Sequence, residues 1–536
     1  MTGGIVSAPQ PEAVEAGADA LIDGGNAVDA AVACALVQTA VDPQMCGIAG
    51  FGSMHLYLAE KGEHFILDFH GRAPSRARDD MWEDLIVKEA EDGFGFILKD
   101  FVNDIGYGAI TTPMTLRALD TALKRFGTKT LGQLIEPAVH YAEKGFIVRP
   151  HINYFWNSDE GGGKAPHAMR LTENEQARKI YVKDDGSLHR LGESVRNRDM
   201  ARTYRRIAQA GVDDFYTGEI GAEIAADMDA NGGLLTEEDL KAVTTQDTEP
   251  LWGEYRSLRV ATNRPPGGGV MVLQMLNILE NFDLAAMGHN SSDYIATVSE
   301  AMKMATVDKD ARVGDPRFVD VPLDELTSKD YAGELAERIR RGEKTNVPRF
   351  NPGGTESKDT THVCAADENG NCVSLTHSLG MPSGVVTAGL GFMYNGCMAV
   401  FDPRPGNTGS IQPGKSRFTA MCPTMLFKDN EPFLVIGAPG ATFITMGVLQ
   451  GILNVVDFGM NAQEAVQAPR FSTTSNVIDV TNRITRRTQA GLEDMGYTVR
   501  RSPLSYHFAG VHALRRTAAG WDGGADPGRD GMAMTV

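Results

Sequence analysis

The spacing of apolar residues predicts helices in the first part of the chain. The segments PEAVEAGADALIDGG and NAVDAAVACALVQTAVDP carry small and apolar residues at helical spacing. The first segment should end at Gly24 and Gly25, and the second should begin after Asn26, whose side chain suits an N-cap. We therefore expect two packed helices near the N-terminus.

The next segments predict a hairpin and further helices. SMHLYLAEKGEHFILDFHGRAP alternates apolar and polar residues on both sides of EKGE, which is typical of two paired strands. TTPMTLRALDTALKRFG predicts a helix with Pro113 at its first position and Gly127 at its end. TEEDL and VMVLQMLNILENF predict two more helices, so the middle of the chain should be mostly helical.

The pattern changes just before Thr360. The segment RRGEKTNVPRFNPGGTESKD is rich in charged residues, Pro and Gly and predicts an exposed, mobile linker. After it come short β runs separated by turns, in THVCAADENGNCVSLTHSL, TMLFKDNEPFLVIGAPG and NVIDVTN. A boundary between two kinds of sequence therefore falls between residues 359 and 360.

Composition and charge narrow the function. The 536 residues are 42% hydrophobic and 23% charged, which is typical of a globular protein. A net charge of −19 disfavours binding to nucleic acid or to an anionic membrane, because both are polyanions. The N-terminus lacks the pattern of a signal peptide, and no apolar run reaches the roughly 20 residues of a membrane span. These features predict a cytoplasmic protein without membrane or nucleic-acid partners.

The cysteines predict neither a disulfide framework nor a metal centre. There are six of them, scattered along the chain and without a CxxC pair. Cys364 and Cys372 flank the DENGN turn and could face each other across a hairpin. We expect reduced, buried thiols, with no metal and no cofactor.

Thr360 has the chemistry of a nucleophile if the chain is cut before it. A threonine hydroxyl is a weak nucleophile until a base removes its proton. Cleavage between Asp359 and Thr360 would create an α-amine, with a pKa of about 8, close to the hydroxyl of the same residue. The alternative is that Thr360 and Thr361 simply begin a β-strand, where threonine is favoured.

The surrounding sequence resembles the γ-glutamyltransferase family, also called glutathione hydrolases. The matching segments follow the family's order across nearly the whole chain: GGNAVDAAVA, TTPMTLRALDTALKRFG, LGQLIEPAVHYAEKGF, DFYTGEIGAEIA, GGLLTEEDL, LQMLNILENFDL, SEAMKMATVDKDARVGDPRFVDVP, TTHVCAADENGNCVSLTHSLG, SRFTAMCPTMLF, GAPGATF, EAVQAPRF and GGADPGRDG.

The resemblance implies an α/β (α+β) fold, the αββα four-layer sandwich of the N-terminal nucleophile hydrolases. Such proteins cleave themselves into a large segment, here 1–359, and a small segment, here 360–536, which form one core. The boundary before Thr360 is then a processing site. The implied partners are a small-molecule amide substrate, and water or an amine as acyl acceptor. The resemblance leaves open whether the protein forms a homo-oligomer.

The resemblance also implies the catalytic residues. Thr360 would attack the Asp359 carbonyl during self-cleavage and later the substrate amide. Ser378 stands where the family has a second threonine hydroxyl that bonds to the nucleophile, and serine keeps that donor and acceptor. The backbone N–H groups of Gly440 and Ala441, in GAPGATF, would form the oxyanion hole, provided that Ala441 reaches the required dihedrals.

The substrate-binding residues depart from the family pattern. His70, in DFHGRAP, replaces the arginine that binds the glutamyl α-carboxylate, and Arg72 is two residues further on, on the same face of a strand. The other replaced positions, which in the family contact the glutamyl head, are Gly380, Cys397, Val400, Thr419 and Ala420. Since the amide and the acid that hold the α-ammonium are lost, a buried ammonium would lack partners.

These departures favour a substrate other than a γ-glutamyl compound. GRAP and FDPRPG resemble the branch with oxamate amidohydrolase-like and cephalosporin acylase-like members. Small carboxylated amides or N-acyl compounds would suit Arg72 with an apolar pocket around Val400. The alternatives are a true glutathione hydrolase or γ-glutamyltransferase and, from another class, an uncleaved, non-catalytic binding scaffold.

Overall fold

The computed structural model describes residues 3–90, 95–157, 163–348, 360–504, 506 and 508–536. Asp359 and residues 349–358 of the expected linker lie outside the described residues. The α-helices, in chain order, are α1 (Pro11–Ile22), α2 (Ala27–Val41), α3 (Thr115–Phe126), α4 (Leu131–Lys144), α5 (Pro150–Asn157), α6 (Met169–Thr172), α7 (Glu175–Tyr181), α8 (Arg198–Ala210), α9 (Asp213–Thr217), α10 (Glu219–Ala230), α11 (Glu237–Lys241), α12 (Gly269–Leu279), α13 (Leu284–Met287), α14 (Ser292–Arg312), α15 (Leu323–Leu326), α16 (Lys329–Arg340), α17 (Ile444–Val456), α18 (Ala462–Gln467) and α19 (Arg486–Asp494).

The strands, in chain order, are β1 (Gly4–Ala8), β2 (Phe51–Leu58), β3 (Glu63–Phe69), β4 (Ile86–Glu89), β5 (Phe96–Leu98), β6 (Phe146–Ile147), β7 (Ser194–Val195), β8 (Gln246–Thr248), β9 (Leu251–Tyr255), β10 (Leu258–Thr262), β11 (Thr361–Asp367), β12 (Cys372–Ser378), β13 (Pro382–Val386), β14 (Met393–Asn395), β15 (Thr424–Lys428), β16 (Glu431–Gly437), β17 (Phe471–Ser472), β18 (Val477–Thr481), β19 (Thr498–Ser502), β20 (His512–Thr517), β21 (Gly520–Ala525) and β22 (Met532–Thr535).

Two antiparallel sheets form the centre of the molecule. The larger has seven strands in the order β22-β1-β11-β12-β2-β3-β8, and the smaller has six in the order β21-β20-β16-β15-β10-β9. The predicted hairpins correspond to β2 with β3, to β11 with β12 and to β15 with β16. The sheets face each other, because β11 contacts both β16 and β20.

Alternate residues of β11 point into different apolar layers. Val363 and Ala365 belong to the cluster that contains α1 and α2, whereas Cys364 and Ala366 belong to the cluster between the two sheets. On the other sheet, Ile436 of β16 packs in a third cluster with α12, α14 and α17. Helices therefore cover the outer face of each sheet, which gives the expected αββα four-layer sandwich.

The helix and hairpin predictions near the N-terminus are confirmed. Asn26 caps α2: its side chain accepts hydrogen bonds from the backbone of Val28 and Asp29, and the Asp29 carboxylate accepts one from Asn26 N. This capping box contributes about 1 kcal/mol to helix stability. Every residue of α2 is buried, so the helix lies inside the molecule against β11.

The predicted start of the third helix is wrong by two residues. The sequence places Pro113 at its first position, but α3 begins at Thr115. Both the backbone N–H and the hydroxyl of Thr111 donate hydrogen bonds to Asn395 Oδ1, at 3.0 and 2.8 Å. This contact comes from a strand almost 300 residues away, and it holds the chain before Pro113 outside the helix. The predicted end at Gly127 is confirmed.

The six cysteines are free and buried. Cys372 lies opposite Ala366, and Cys364 lies opposite Ser374, so the two thiols beside the hairpin turn are two residue pairs apart. Among the described residues, no helix is both long enough and apolar enough to cross a lipid bilayer.

Both sheets contain strands from each side of the segment 349–359. In the larger sheet, β11 and β12 lie between β1 and β2, and in the smaller sheet β15 pairs with β10. Separating the two parts would break hydrogen-bond ladders in the middle of a sheet and expose apolar faces on both sides.

We therefore expect the two parts to remain associated after a cut between residues 348 and 360. Native size-exclusion chromatography should give one species with the elution volume of the uncut chain, while a denaturing gel resolves two fragments. The same sample in concentrated guanidinium chloride should elute as two species. Separate elution of the fragments under native conditions would contradict the shared-sheet arrangement.

Candidate active site

Thr360 lies directly before a fully buried strand of the larger sheet. It directly precedes β11, whose neighbours β1 and β12 pair with it on both sides. The Thr360 side chain donates a hydrogen bond from Oγ1 to Ser378 Oγ at 3.1 Å. Thr360 is 4% exposed and Ser378 is fully buried. The structure thus brings together the two hydroxyl groups that the sequence singles out.

Ser378 is itself held by the backbone that follows it. Its Oγ accepts a hydrogen bond from the Gly380 N–H at 2.8 Å. Gly380 has a φ of +69°, a conformation that a residue with a side chain rarely adopts. The turn after β12 therefore fixes the position of the Ser378 hydroxyl relative to Thr360.

A small cavity of about 20 Å³ adjoins the two hydroxyls, with room for about one water molecule. It contains six of the residues that the sequence proposes for the site. The residues that line it are Phe51, Thr360, Ser378, Gly380, Met381, Arg417, Thr419, Ala420, Met421, Ala441 and Ile444. Among these described lining residues, none carries a carboxylate, and Arg417 is the residue with a charged side chain.

The turn at Gly440 and Ala441 has an unusual backbone. Gly440 has φ 139° and ψ 32°, and Ala441 has φ 50°, in the left-handed region. Ala441 therefore adopts a conformation that costs a non-glycine residue about 1–2 kcal/mol. The turn continues through a 3-10 helix, Ala441–Phe443, into α17, so its N–H groups lie at the electropositive end of a helix.

A buried hydrogen-bond network holds the residue after Thr360. Gln38 of α2 donates from Nε2 to Thr361 Oγ1 and to Gln10 Oε1, both at 2.9 Å. Its Oε1 accepts from His377 Nε2 at 2.8 Å. Burial lowers the pKa of His377 to about 3, so the ring is neutral and Nε2 carries the proton that it donates. Thr361 is thus a structural residue at the start of β11.

The network ends at a buried ion pair. Gln10 Nε2 donates to Asp42 Oδ2 at 2.6 Å, and the same oxygen lies 3.0 Å from His151 Nε2. Burial opposes both charges, but their attraction and hydrogen bond prevail, so the pKa of Asp42 is lowered and the pKa of His151 is raised. Removing one partner would leave the other charge buried.

His70 and Arg72 are not among the residues that line the small cavity. His70 is buried with Nδ1 at 2.5 Å from Asp68 Oδ1. Burial raises the pKa of Asp68, but the opposing effect of His70 and Arg72 is larger, so the net pKa is lowered. Arg72 is half-buried, and its Nη2 donates to the Thr244 carbonyl at 3.3 Å. Both side chains therefore have partners away from Thr360.

Cys397 and Val400 both lie near Arg417. Cys397 is buried behind Gly380, and burial raises its pKa to about 11, so the thiol is protonated at neutral pH. Val400 lines a second cavity of about 410 Å³, which Arg417 also lines. Apolar surroundings were expected for Val400, but the fold brings charged residues there: Glu89, Lys309, Asp310, Asp402 and Arg404.

Arg417 is the site residue that the sequence analysis missed. It is 5% exposed, and it borders both cavities. The signal was a basic residue directly before FTAMCPTMLF, a run of mainly apolar residues, with Lys415 two positions upstream. A basic residue in such a position says little until the fold shows which cavity it borders.

The described residues include no group of three or more His, Cys, Asp and Glu side chains arranged to hold a metal ion. Hydroxyl groups, backbone N–H groups and one guanidinium are thus the chemical groups around the small cavity. Asp359, on the other side of the expected scissile bond, lies outside the described residues.

Known proteins resemble this chain over nearly its whole length. The model of the gamma-glutamyltranspeptidase family matches residues 13–536. The acylase ACY 1 proenzyme of Pseudomonas sp. strain V22 is 36% identical over 506 residues, which cover 93% of this chain and 88% of the relative. The glutathione hydrolase proenzyme of Escherichia coli strain K12 is 34% identical over 484 residues, which cover 87% and 80%.

The fold has a close match among solved structures. The cephalosporin acylase from Bacillus halodurans superposes with a TM-score of 0.86 at 29% sequence identity, covering 99% of this chain and 96% of that chain. The large and small segments are matched together, in one arrangement.

The turn at Gly440 allows a test with a matched control. A Cβ on Gly440 would lie 2.7 Å from Ala509 Cα, so we expect Gly440→Ala to lower the free energy of unfolding by about 1–3 kcal/mol. Gly459→Ala is the control, since Gly459 also has a positive φ but has open space at the Cβ position; it should cost only about 1 kcal/mol. Ala441→Gly should change stability by less than about 1 kcal/mol, because relief of the left-handed strain offsets the added freedom of the unfolded chain.

Denaturant unfolding of the three variants measures these differences. Equal destabilisation by Gly440→Ala and Gly459→Ala would contradict the close approach of Ala509 to the turn.

Proposed function

The chain belongs to the gamma-glutamyltranspeptidase family, and we propose that it is a self-processing amidohydrolase whose nucleophile is Thr360. The observation that carries this proposal is the 3.1 Å hydrogen bond between Thr360 Oγ1 and Ser378 Oγ, beside a cavity that Ala441 also lines. Both named relatives are proenzymes, and they are an acylase and a glutathione hydrolase.

Maturation would begin with attack of Thr360 Oγ on the carbonyl carbon of Asp359. The C–N bond between the two residues breaks, the nitrogen takes up a proton, and an ester links the Asp359 acyl group to Oγ. Water then hydrolyses this ester and releases the Asp359 carboxylate. The products are a segment that ends at residue 359 and a segment that begins with the free α-amine of Thr360.

Turnover would use the same hydroxyl on an external amide. The α-amine of Thr360 accepts the hydroxyl proton as Oγ attacks the substrate carbonyl carbon. Backbone N–H groups at Gly440 and Ala441 stabilise the oxyanion, and their fixed orientation avoids reorganisation during the reaction. The leaving amine takes the proton, an acyl ester remains on Thr360, and water releases the acid. An amine in place of water would give acyl transfer.

Three features favour an acyl group without a free α-amino acid head. Among the described residues that line the small cavity, none has a carboxylate to pair with an ammonium. Position 400, where the resemblance implies an acid, is a valine. His70, where it implies a carboxylate-binding arginine, is paired with Asp68. We therefore propose a small carboxylated or N-acyl amide as substrate.

A true glutathione hydrolase is the second candidate. The 34% identity to the Escherichia coli glutathione hydrolase proenzyme, over 87% of this chain, supports it. In that case the α-ammonium would have to find partners other than those that the family pattern provides. The cytoplasmic location stays a prediction from the N-terminal sequence.

Thr360→Ala tests the nucleophile. The wild-type chain should yield two fragments on a denaturing gel, with Thr360 as the N-terminal residue of the smaller one, whereas Thr360→Ala should remain a single chain of 57.8 kDa. Thr498→Ala, at an exposed strand position, is the matched control and should process normally. After incubation of mature wild-type enzyme with an anilide substrate and acid quenching, mass spectrometry should find the acyl group on Thr360.

Processing of Thr360→Ala at the same bond, or an acyl group on another residue, would contradict the assignment. A wild-type chain that stays uncut on long incubation would favour the binding-scaffold alternative.

Two anilides that differ by one ammonium group test whether the enzyme prefers an acyl group without the α-ammonium. Glutaryl-4-nitroanilide and γ-glutamyl-4-nitroanilide share the chain and its terminal carboxylate, but only the second has the α-ammonium. Burying an unpaired charged group costs about 1–3 kcal/mol or more, so kcat/KM should favour the glutaryl compound at least about 10-fold. Release of nitroaniline by matured enzyme measures kcat/KM for both compounds. A preference for the γ-glutamyl compound would support the glutathione hydrolase alternative.

A further inference from the structure

Arg417 is a buried cation at the junction of two cavities. It lines the small cavity with Thr360 and Ser378, and it lines the neighbouring cavity of about 410 Å³. Its Nη1 donates to the Phe418 carbonyl at 2.9 Å, and its guanidinium lies 5.0 Å from the centre of the Phe51 ring. These contacts fix the plane of the guanidinium beside the site rather than in solvent.

Gly380 links Arg417 to the nucleophile. Its N–H donates to Ser378 Oγ, which bonds to Thr360. A Cβ at Gly380 would lie 3.5 Å from Arg417 Nη2 and 2.9 Å from Cys397 Sγ. Any side chain at position 380 would therefore collide with Cys397, and a longer one, such as the asparagine that the resemblance implies, would extend from a Cβ already in van der Waals contact with Arg417. The glycine leaves that space to the guanidinium.

Arg417 has different electrostatic surroundings in its two cavities. Carboxylates of Glu89, Asp310 and Asp402 line the larger cavity, whereas no carboxylate is among the described residues that line the small one, so an anionic group is favoured on the Thr360 side of the guanidinium. Burial removes water from the guanidinium and lowers its pKa, yet arginine remains charged at any working pH. The neighbouring Cys397 thiol stays protonated because burial raises its pKa to about 11. A carboxylate can accept two parallel hydrogen bonds from a guanidinium, in a geometry that a neutral amide does not reproduce with the same strength.

We propose that Arg417 binds a carboxylate at the far end of the substrate's acyl chain, and that it thereby takes over the role of the arginine missing at position 70. The inference rests on the proposed function, because it assumes that the acyl group is attached to Thr360. The substrate class is a half-amide of a short dicarboxylic acid.

Arg72 is the competing candidate. It follows position 70 by two residues, and the sequence alone favours it. In the structure its guanidinium donates to the Thr244 carbonyl, and Arg317, Asp68 and Asp315 lie near it. It does not line the cavity of Thr360.

Two substrates of the same length isolate the carboxylate. Glutaryl-4-nitroanilide ends in a carboxylate, and 4-carbamoylbutyryl-4-nitroanilide is the same chain ending in a neutral amide. We expect wild-type kcat/KM to favour the glutaryl compound about 10- to 100-fold, the usual difference for a charged hydrogen-bond pair. Arg417→Met should bring this ratio close to one, because methionine keeps much of the apolar packing but donates no hydrogen bond to a carboxylate.

Arg72→Met and Arg486→Met are the matched controls, the first for the competing candidate and the second for an exposed arginine. Both should keep the wild-type ratio. If Arg417→Met does not mature, Arg417→Lys serves instead: a lysine cannot form the bidentate pair, so the ratio should fall by about 10-fold. An unchanged ratio in the Arg417 variants, or a ratio lost in Arg72→Met, would overturn the proposal.

Different outcomes would contradict the role of Arg417 and the proposed amidohydrolase activity. Wild-type enzyme that cleaves both anilides equally, with the acyl group on Thr360, would overturn the role of Arg417 and leave the amidohydrolase intact. Wild-type enzyme that cleaves neither, and carries no acyl group on Thr360, would overturn the proposed function and the role of Arg417 with it.

Discussion

The pairing of β11 on both sides is the constraint on which the site depends. β1 and β12 hold the strand from its edges, a helix layer covers one face, and the second sheet covers the other. A strand held in this way cannot shift its register without moving every side chain to the wrong face. Thr360 directly precedes β11 and Ser378 is the last residue of β12, so their hydroxyl contact follows from sheet register. The position of the Thr360 hydroxyl is thus determined by the core.

The groups that would contact the rest of a substrate have a different origin. Gly380, Arg417 and Ala441 lie on turns and loops around the end of the strands, where one side chain can be exchanged without disturbing a ladder. Under the proposed function, this difference accounts for a hydroxyl pair that keeps the implied pattern beside substrate-contacting positions that depart from it. It also explains why Ala441 is tolerated: the turn supplies backbone N–H groups, and those survive a side-chain exchange at the cost of a strained φ.

Much of the fold could be predicted because its signals are local. The Asn26 cap, the alternation in β2 and β3, and the position of Thr360 before β11 are all visible within a few residues of sequence. The start of α3 could not be predicted, because Asn395 holds Thr111 through a contact between distant segments. The position of Arg417 at the two cavities and the charged surroundings of Val400 could not be predicted for the same reason, because their neighbours are separated from them by tens or hundreds of residues. Sequence pattern predicts the elements, whereas the lining of a cavity depends on how they assemble.

The exchange of strands between the two segments has a consequence for folding. In the uncut chain, pairing of β1 with β11 is a search within one molecule, and the connecting chain keeps the two strands near each other. A cut before Thr360 removes that connection, so unfolded fragments would have to meet by diffusion, and refolding would depend on their concentration. The cut form would then persist through slow unfolding rather than through easy refolding. The precursor would be the form that folds efficiently, and the cut protein would depend on kinetic stability.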